Sequence, residues 1–129
     1  WKSSIQYFKK LELTGNIKLH NQQERMQSML NYIYHNYQNP ITLSQISKAG
    51  KISIAQCHRD FKNIIKMSPY EYLIHYRLIK SIDYLLESSF NITEISEKVG
   101  FQNVNYYIKM FRRYYKTSPK QYQKEHIKK

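Results

Sequence analysis

Apolar residues return every three or four positions along most of the chain, the period of an amphipathic helix rather than of a strand. The clearest stripe is Met26, Met29, Leu30, Ile33 and Tyr37, which predicts a helix over about 24–37, ended by Asn39-Pro40. A short helix follows from Leu43 to Lys48, capped by Thr42 and apolar at Leu43 and Ile46, and Ala49-Gly50-Lys51-Ile52 reads as a turn. Ser53 suits the N-cap of a helix over 54–65, because its hydroxyl accepts from an unpaired amide of the first turn. Ile54, Cys57, Phe61 and Ile64 recur there at helical spacing and are expected in the core.

Ser68-Pro69 opens the longest helix, to about Ser88, since proline at the first helical position loses no hydrogen bond. Its expected buried stripe is Tyr72, Leu73, Tyr76, Ile79, Ile82, Leu85 and Leu86. Thr93 is expected to cap a short helix from Glu94 to Lys98, and Val99-Gly100-Phe101 to turn the chain. Asn103 caps a helix over 104–115 with Tyr107, Met110, Phe111 and Tyr114 inward. Ser118-Pro119 starts a last short helix to about Lys124, and Lys128-Lys129 are expected to fray. Residues 1–22 read as an upstream linker, in which Ile5, Phe8 and Leu11 mark a short helix that Thr14-Gly15-Asn16 breaks.

The two halves repeat. Ile46-Ser47, a turn, Ser53, Phe61-Lys62, Ser68-Pro69 and Tyr72 match Ile95-Ser96, a turn, Asn103, Phe111-Arg112, Ser118-Pro119 and Tyr122. The offset is 49 residues before the turn and 50 after it. Each copy is a short helix, a tight turn, a longer helix and Ser-Pro, the layout of a helix-turn-helix whose second helix enters a DNA major groove. The fold class is therefore all-α, with two helix-turn-helix units joined by a long linker helix. The units divide the chain into a tail 1–22, a first unit 23–68, the linker helix 69–89 and a second unit 90–129, one DNA-binding domain over 23–125.

Charge sharpens this picture. The formal net charge is +12, which fits nucleic acid, an anionic membrane face or a merely solvated surface. Its distribution favours nucleic acid. From Phe101 to Lys124 there are six basic residues, Lys109, Arg112, Arg113, Lys116, Lys120 and Lys124, and no acidic one. They interleave with core aromatics of a packed unit, which fits a membrane surface poorly. In the first unit Ala55, Gln56, His58, Arg59 and Lys62 face away from the apolar stripe. Arg59 suits a bidentate pair with guanine, Gln56 or His58 a bond to a base edge, and Lys62 a phosphate. In the second unit the outward candidates are Asn105, Tyr106, Lys109, Arg112 and Arg113, with Asn105 placed for adenine and Val104 for a thymine methyl. Ser53, Lys62, Arg77, Asn103, Arg112 and Arg113 are the phosphate candidates. For Arg77 two other roles stand open, tying the two units together or pairing with Asp83 or Glu87.

Other chemistries find little support. The nine acids are scattered, the five histidines show no metal-ligand spacing, and no glycine-rich phosphate loop is present. Cys57 and His58 diverge by about 100° on a helix and make no nucleophile–base pair, so an enzyme is not expected and Cys57 reads as a small core residue. No cofactor or metal is implied. Thirteen tyrosines suggest stacking on single-stranded RNA, but many fall on apolar stripes. No apolar run is long enough to span a membrane, and the start Trp1-Lys2-Ser3-Ser4 is no signal peptide. A cytoplasmic location is expected, and the chain reads as a C-terminal piece of a longer regulator without its effector or dimerisation domain. The competing reading is a basic protein-interaction module, for example one contacting RNA polymerase, with only weak DNA binding.

The stretch Ile92-Thr93-Glu94-Ile95-Ser96-Glu97-Lys98-Val99-Gly100-Phe101, then Tyr106-Tyr107, Phe111-Arg112-Arg113-Tyr114-Tyr115-Lys116-Thr117-Ser118-Pro119 and Tyr122, resembles the signature of the AraC/XylS family of bacterial transcription regulators. The resemblance spans roughly Glu24 to Lys124, with Ser53, Phe61-Lys62, Ser68-Pro69, Tyr72 and Arg77 as its weaker first-unit part. It implies reading helices in successive major grooves, with Ala55, His58 and Arg59 reading in the first and Val104, Asn105, Tyr106 and Lys109 in the second. It also implies that Arg77 is the family's linker-helix arginine. The chain departs from the family at Cys57, at Gly50-Lys51, and at Lys66 and Lys116, which replace the glycine that normally follows each reading helix.

Overall fold

Most helices begin where a short polar side chain stands before an apolar run and closes an amide that the first turn leaves unpaired. In the computed structural model the backbone is described for residues 2–87 and 89–127, and side chains from Gly15 onward within those spans. The described residues form α1 (Lys2–Asn36), α2 (Leu43–Ala49), α3 (Ile54–Asp60), α4 (Pro69–Glu87), α5 (Ile92–Lys98), α6 (Val104–Tyr115) and α7 (Pro119–His126). Helix α3 runs on without a break into one wide π turn, Phe61–Ile65, closed by the Lys66 amide on the Phe61 carbonyl at 2.9 Å. The first helix-turn-helix is α2–α3, the second is α5–α6, and α4 joins them.

Helices α2 and α5 both start with reciprocal caps. Thr42 Oγ1 accepts from the Gln45 amide at 3.1 Å while Gln45 Oε1 accepts from the Thr42 amide at 2.9 Å. Asn91 and Glu94 repeat this at 2.8 and 3.1 Å. The cap of α5 is therefore Asn91 and not the expected Thr93, and α5 starts at Ile92. Ser53, Asn103 and Ser118 cap α3, α6 and α7 as expected.

The tail differs more. Helix α1 is continuous through Thr14-Gly15-Asn16, where a break was expected. A single glycine costs a helix only about 1 kcal/mol, too little to stop one with helix-forming residues on both sides. The expected apolar stripe of the short tail helix lies among residues whose side chains fall outside the described ones, as do Lys128 and Lys129.

Two cores flank the linker helix. Met26, Met29, Ile33, Ile46, Cys57, Phe61 and Leu73 form the first. Ile74, Leu78, Leu85, Ile95, Val99, Phe101, Tyr107, Met110 and Phe111 form the second, with Tyr114 half-buried against it. On α4 the buried line is Leu73, Ile74, Arg77, Leu78, Ser81 and Leu85, while Ile79 and Leu86, expected inside, are exposed. The true stripe carries two polar residues, so counting apolar positions alone misplaces it. Ile54 and Ile64 are likewise exposed against expectation. The extra residue in the π turn rotates Ile64 off the core face and brings Ile65 onto it.

Four residues of the turns sit in the left-handed region. Lys51 (φ 57°) and Gly100 (φ 97°) occupy equivalent places in the two units, and Lys66 (φ 70°) and Lys116 (φ 64°) close the π turn after α3 and helix α6. A residue with a Cβ is strained there and glycine is not. Lys116→Gly is accordingly expected to stabilise the domain by about 0.5–1 kcal/mol, net of glycine's greater unfolded-state entropy. A denaturant midpoint unchanged or lowered in that variant contradicts the strain.

Candidate nucleic-acid interface

Helices α3 and α6 each bury one face, through Cys57 and Phe61 or through Tyr107, Met110 and Phe111, and this fixes what they show outward. From α3 the exposed side chains are Ile54, Ala55, His58 and Arg59, with Lys62 on the π turn. From α6 they are Asn105, Lys109, Arg112 and Arg113, with Val104 half-buried. The Asn105 side chain makes no hydrogen bond to any described residue, so its amide is open to a ligand. Ser53 and Asn103 use their oxygens as caps, accepting from Gln56 at 3.1 Å and from Asn105 and Tyr106 at 2.8 and 3.1 Å. Capping leaves the Ser53 hydroxyl hydrogen and the Asn103 amide hydrogens for a phosphate.

Three candidates stand differently from the sequence reading. Gln56 is half-buried and both ends of its amide are taken, Nε2 by Asp60 at 2.7 Å and Oε1 by Arg59 at 2.9 Å. It has no free edge for a base. Tyr106 is half-buried with its ring against Phe101 at 6.1 Å, and burial, together with the Tyr70 hydroxyl beside it, pushes its hydroxyl up to about 12. It walls a cleft between the units, with Tyr70, Ile41 and Gly100, instead of projecting from α6. Arg77, expected at a phosphate, is buried and only 7% exposed. Its Nε donates to the Tyr37 carbonyl at 2.8 Å and its Nη2 to the Asn39 carbonyl at 3.0 Å, so it ties the loop after α1 to the linker helix. Burial pulls its guanidinium below the usual range, and no ion pair with Asp83 or Glu87 forms.

Ile54 is the outward residue that pattern reasoning missed. It is 45% exposed at the first turn of α3 and is the counterpart of Val104 under the 50-residue offset. The repeat held that signal, since Val104 was already placed for a thymine methyl.

Two electrostatic features complete the surface. The six basic residues of α6 and α7 are all exposed, and among the described residues none is in an ion pair. Lys62 meets Glu71 at 3.7 Å, with both side chains more than half exposed, a contact too solvated to hold the lysine back from a phosphate. Behind α3, Asp60 is fully buried and gripped by Arg25. Desolvation alone raises its carboxyl, but the bonds from Arg25 and Gln56 outweigh that and hold it below the usual range. Burial, with Asp60 adding, pushes the Cys57 thiol up to about 11, which leaves it a protonated core residue. Among the described residues no three His, Cys, Asp or Glu side chains gather as metal ligands, and no helix is long and apolar enough to cross a membrane.

Comparison with known proteins places this geometry. A helix-turn-helix domain family matches residues 46–125. The transcriptional regulator YdeC of Bacillus subtilis (strain 168), itself uncharacterized, is 39% identical over 100 residues, 78% of this chain and 34% of that protein. The chain thus spans about a third of the length of this curated relative. Among solved structures, the C-terminal domain of the two-component response regulator yesN from Fusobacterium nucleatum subsp. nucleatum ATCC 25586 is 33% identical. Its TM-score is 0.71, covering 76% of this chain and 96% of that one. A regulator with an AraC-type DNA-binding domain from Chromobacterium violaceum shares the fold at 20% identity. There the TM-score is 0.76, with 81% and 93% covered.

Proposed function

The chain belongs to the AraC/XylS family of helix-turn-helix transcription regulators, and on that premise we propose that it reads double-stranded promoter DNA with α3 and α6 in successive major grooves. The observation that carries this reading is the exposed Asn105 on α6, its side chain unbonded among the described residues and flanked by Lys109, Arg112 and Arg113, none of which is in an ion pair with a described residue. A short amide reads a base edge while guanidinium and ammonium groups around it meet phosphates. On α3 the readers are Ala55, His58 and Arg59, joined by Ile54 against a thymine methyl. On α6 they are Val104, Asn105 and Lys109. Ser53, Asn103, Lys62, Arg112 and Arg113 hold the backbone. A promoter-bound regulator of this kind works in the bacterial cytoplasm, within reach of RNA polymerase.

Selection of duplexes from a random library, followed by titration of the selected site against a scrambled one at two salt concentrations, tests the reading. The selected site should bind tighter by orders of magnitude, with a steep loss of affinity as salt rises. Arg59→Ala and Asn105→Ala should each remove about 1–3 kcal/mol of specific binding, whereas Lys62→Ala and Arg112→Ala should weaken all sequences alike and flatten the salt slope. Shallow, sequence-blind binding by the wild-type chain would favour a protein-interaction module instead.

A further inference from the structure

One chain of hydrogen bonds runs from α1 to the outward face of α3. Arg25 holds the buried Asp60 carboxylate side-on, with Nε 2.9 Å from Oδ2 and Nη2 3.0 Å from Oδ1. Gln56 Nε2 donates to Asp60 Oδ1 at 2.7 Å, and Gln22 adds a longer bond at 3.5 Å. Arg59 Nη2 donates to Gln56 Oε1 at 2.9 Å. Chemistry sets the direction of every link. A carboxylate only accepts and a guanidinium only donates, so the Gln56 amide cannot turn round without losing both of its strong bonds.

We propose that Arg25 and Asp60 are positioning residues for base reading by Arg59. They lock the Gln56 amide and, through it, hold the Arg59 guanidinium in one orientation on the exposed side of α3. The inference rests on the assignment of α3 as a reading helix and goes beyond it by placing a specificity determinant on α1, outside the helix pairs α2–α3 and α5–α6.

Packing alone does not call for this network. The repeat puts Met110 where the first unit has Asp60, and Met110 is buried in the second core, so an apolar side chain fills the equivalent place. A buried ion pair is seldom more stable than well-packed apolar residues of similar volume. What it adds is direction. Arg59 is long, exposed and rotamer-rich, and holding it before DNA arrives lowers the entropy lost on binding. Asn105, the short reader of the second unit, needs no such tether.

The test compares library-selected base preferences of the wild-type chain, Arg25→Met/Asp60→Met, Gln56→Met, Arg59→Ala and Asn105→Ala. The double variant removes the buried carboxylate and its half-buried partner together and imitates the second unit, while Gln56→Met cuts the relay and leaves the ion pair in place. Both should lose about tenfold of the preference at whichever base pair Arg59→Ala abolishes. The base pair lost in Asn105→Ala and the salt slope should not change in either. Full preference at the Arg59-dependent base pair in a folded double variant, or in Gln56→Met if the double variant does not fold, overturns the proposal. So does an Arg59→Ala profile identical to wild type. A wild-type chain with no base preference at all instead removes the DNA-reading assignment itself.

Discussion

Gly100→Ala is expected to destabilise the domain by about 3–5 kcal/mol, more than an ordinary single substitution. A Cβ at Gly100 would overlap the Tyr37 carbonyl oxygen and lie 2.8 Å from Arg77 Nε. The obstacle is backbone on one side and a guanidinium fixed by two carbonyls on the other, so neither neighbour yields cheaply. The backbone itself, at φ 97°, adds strain for any residue with a side chain. Backbone strain of about 1–3 kcal/mol and overpacking of similar size combine to the expected loss. Denaturant titration reads it directly. A loss under about 1 kcal/mol would show that the turn relaxes and that the close approach matters little.

Arg77→Met should cost about 2–3 kcal/mol and loosen one half of the domain from the other. Methionine keeps the unbranched stem but drops the bonds to the Tyr37 and Asn39 carbonyls, each a charge-assisted bond. Relief from burying a guanidinium offsets part of that loss, which keeps the estimate below the sum of the bonds. The functional readout is sharper than the stability one. Two reading helices held at fixed spacing gain affinity because the second binds at high effective concentration. The variant should bind each isolated half-site as the wild type does, yet lose about tenfold of the full-site advantage. Equal full-site advantage in both proteins would mean that α4 alone sets the spacing.

Much of this was legible along the chain, and the misses have particular causes. The caps at Thr42, Ser53, Asn103 and Ser118 were readable because short polar residues stand directly before helical runs. Asn91 was readable too, since the 49-residue offset maps Thr42 onto it and Gln45 onto Glu94, but the nearby Thr93 drew the cap away. Exposure of Ile64 depends on the π turn, and nothing in the local pattern distinguishes that turn from an α-helical one. Arg77 was placed off the apolar stripe because arginine is seldom buried. The two carbonyls that meet it, about 40 positions away in sequence, offset the cost of its burial. Asp60 was one scattered acid among nine until α1 brought Arg25 against it.

Leu73 and Ile74 are neighbours on α4 and yet belong to different cores. That single step along the chain makes α4 a shaft shared by two bodies that also meet at the loop after α1, where Tyr37 packs against both. Opening one body is expected to leave the other's apolar residues still packed on the shaft, whereas the shaft cannot melt without stripping the apolar cover from both. Damage to one half is therefore contained, and the amides of α4 are the last to exchange with solvent as the molecule opens.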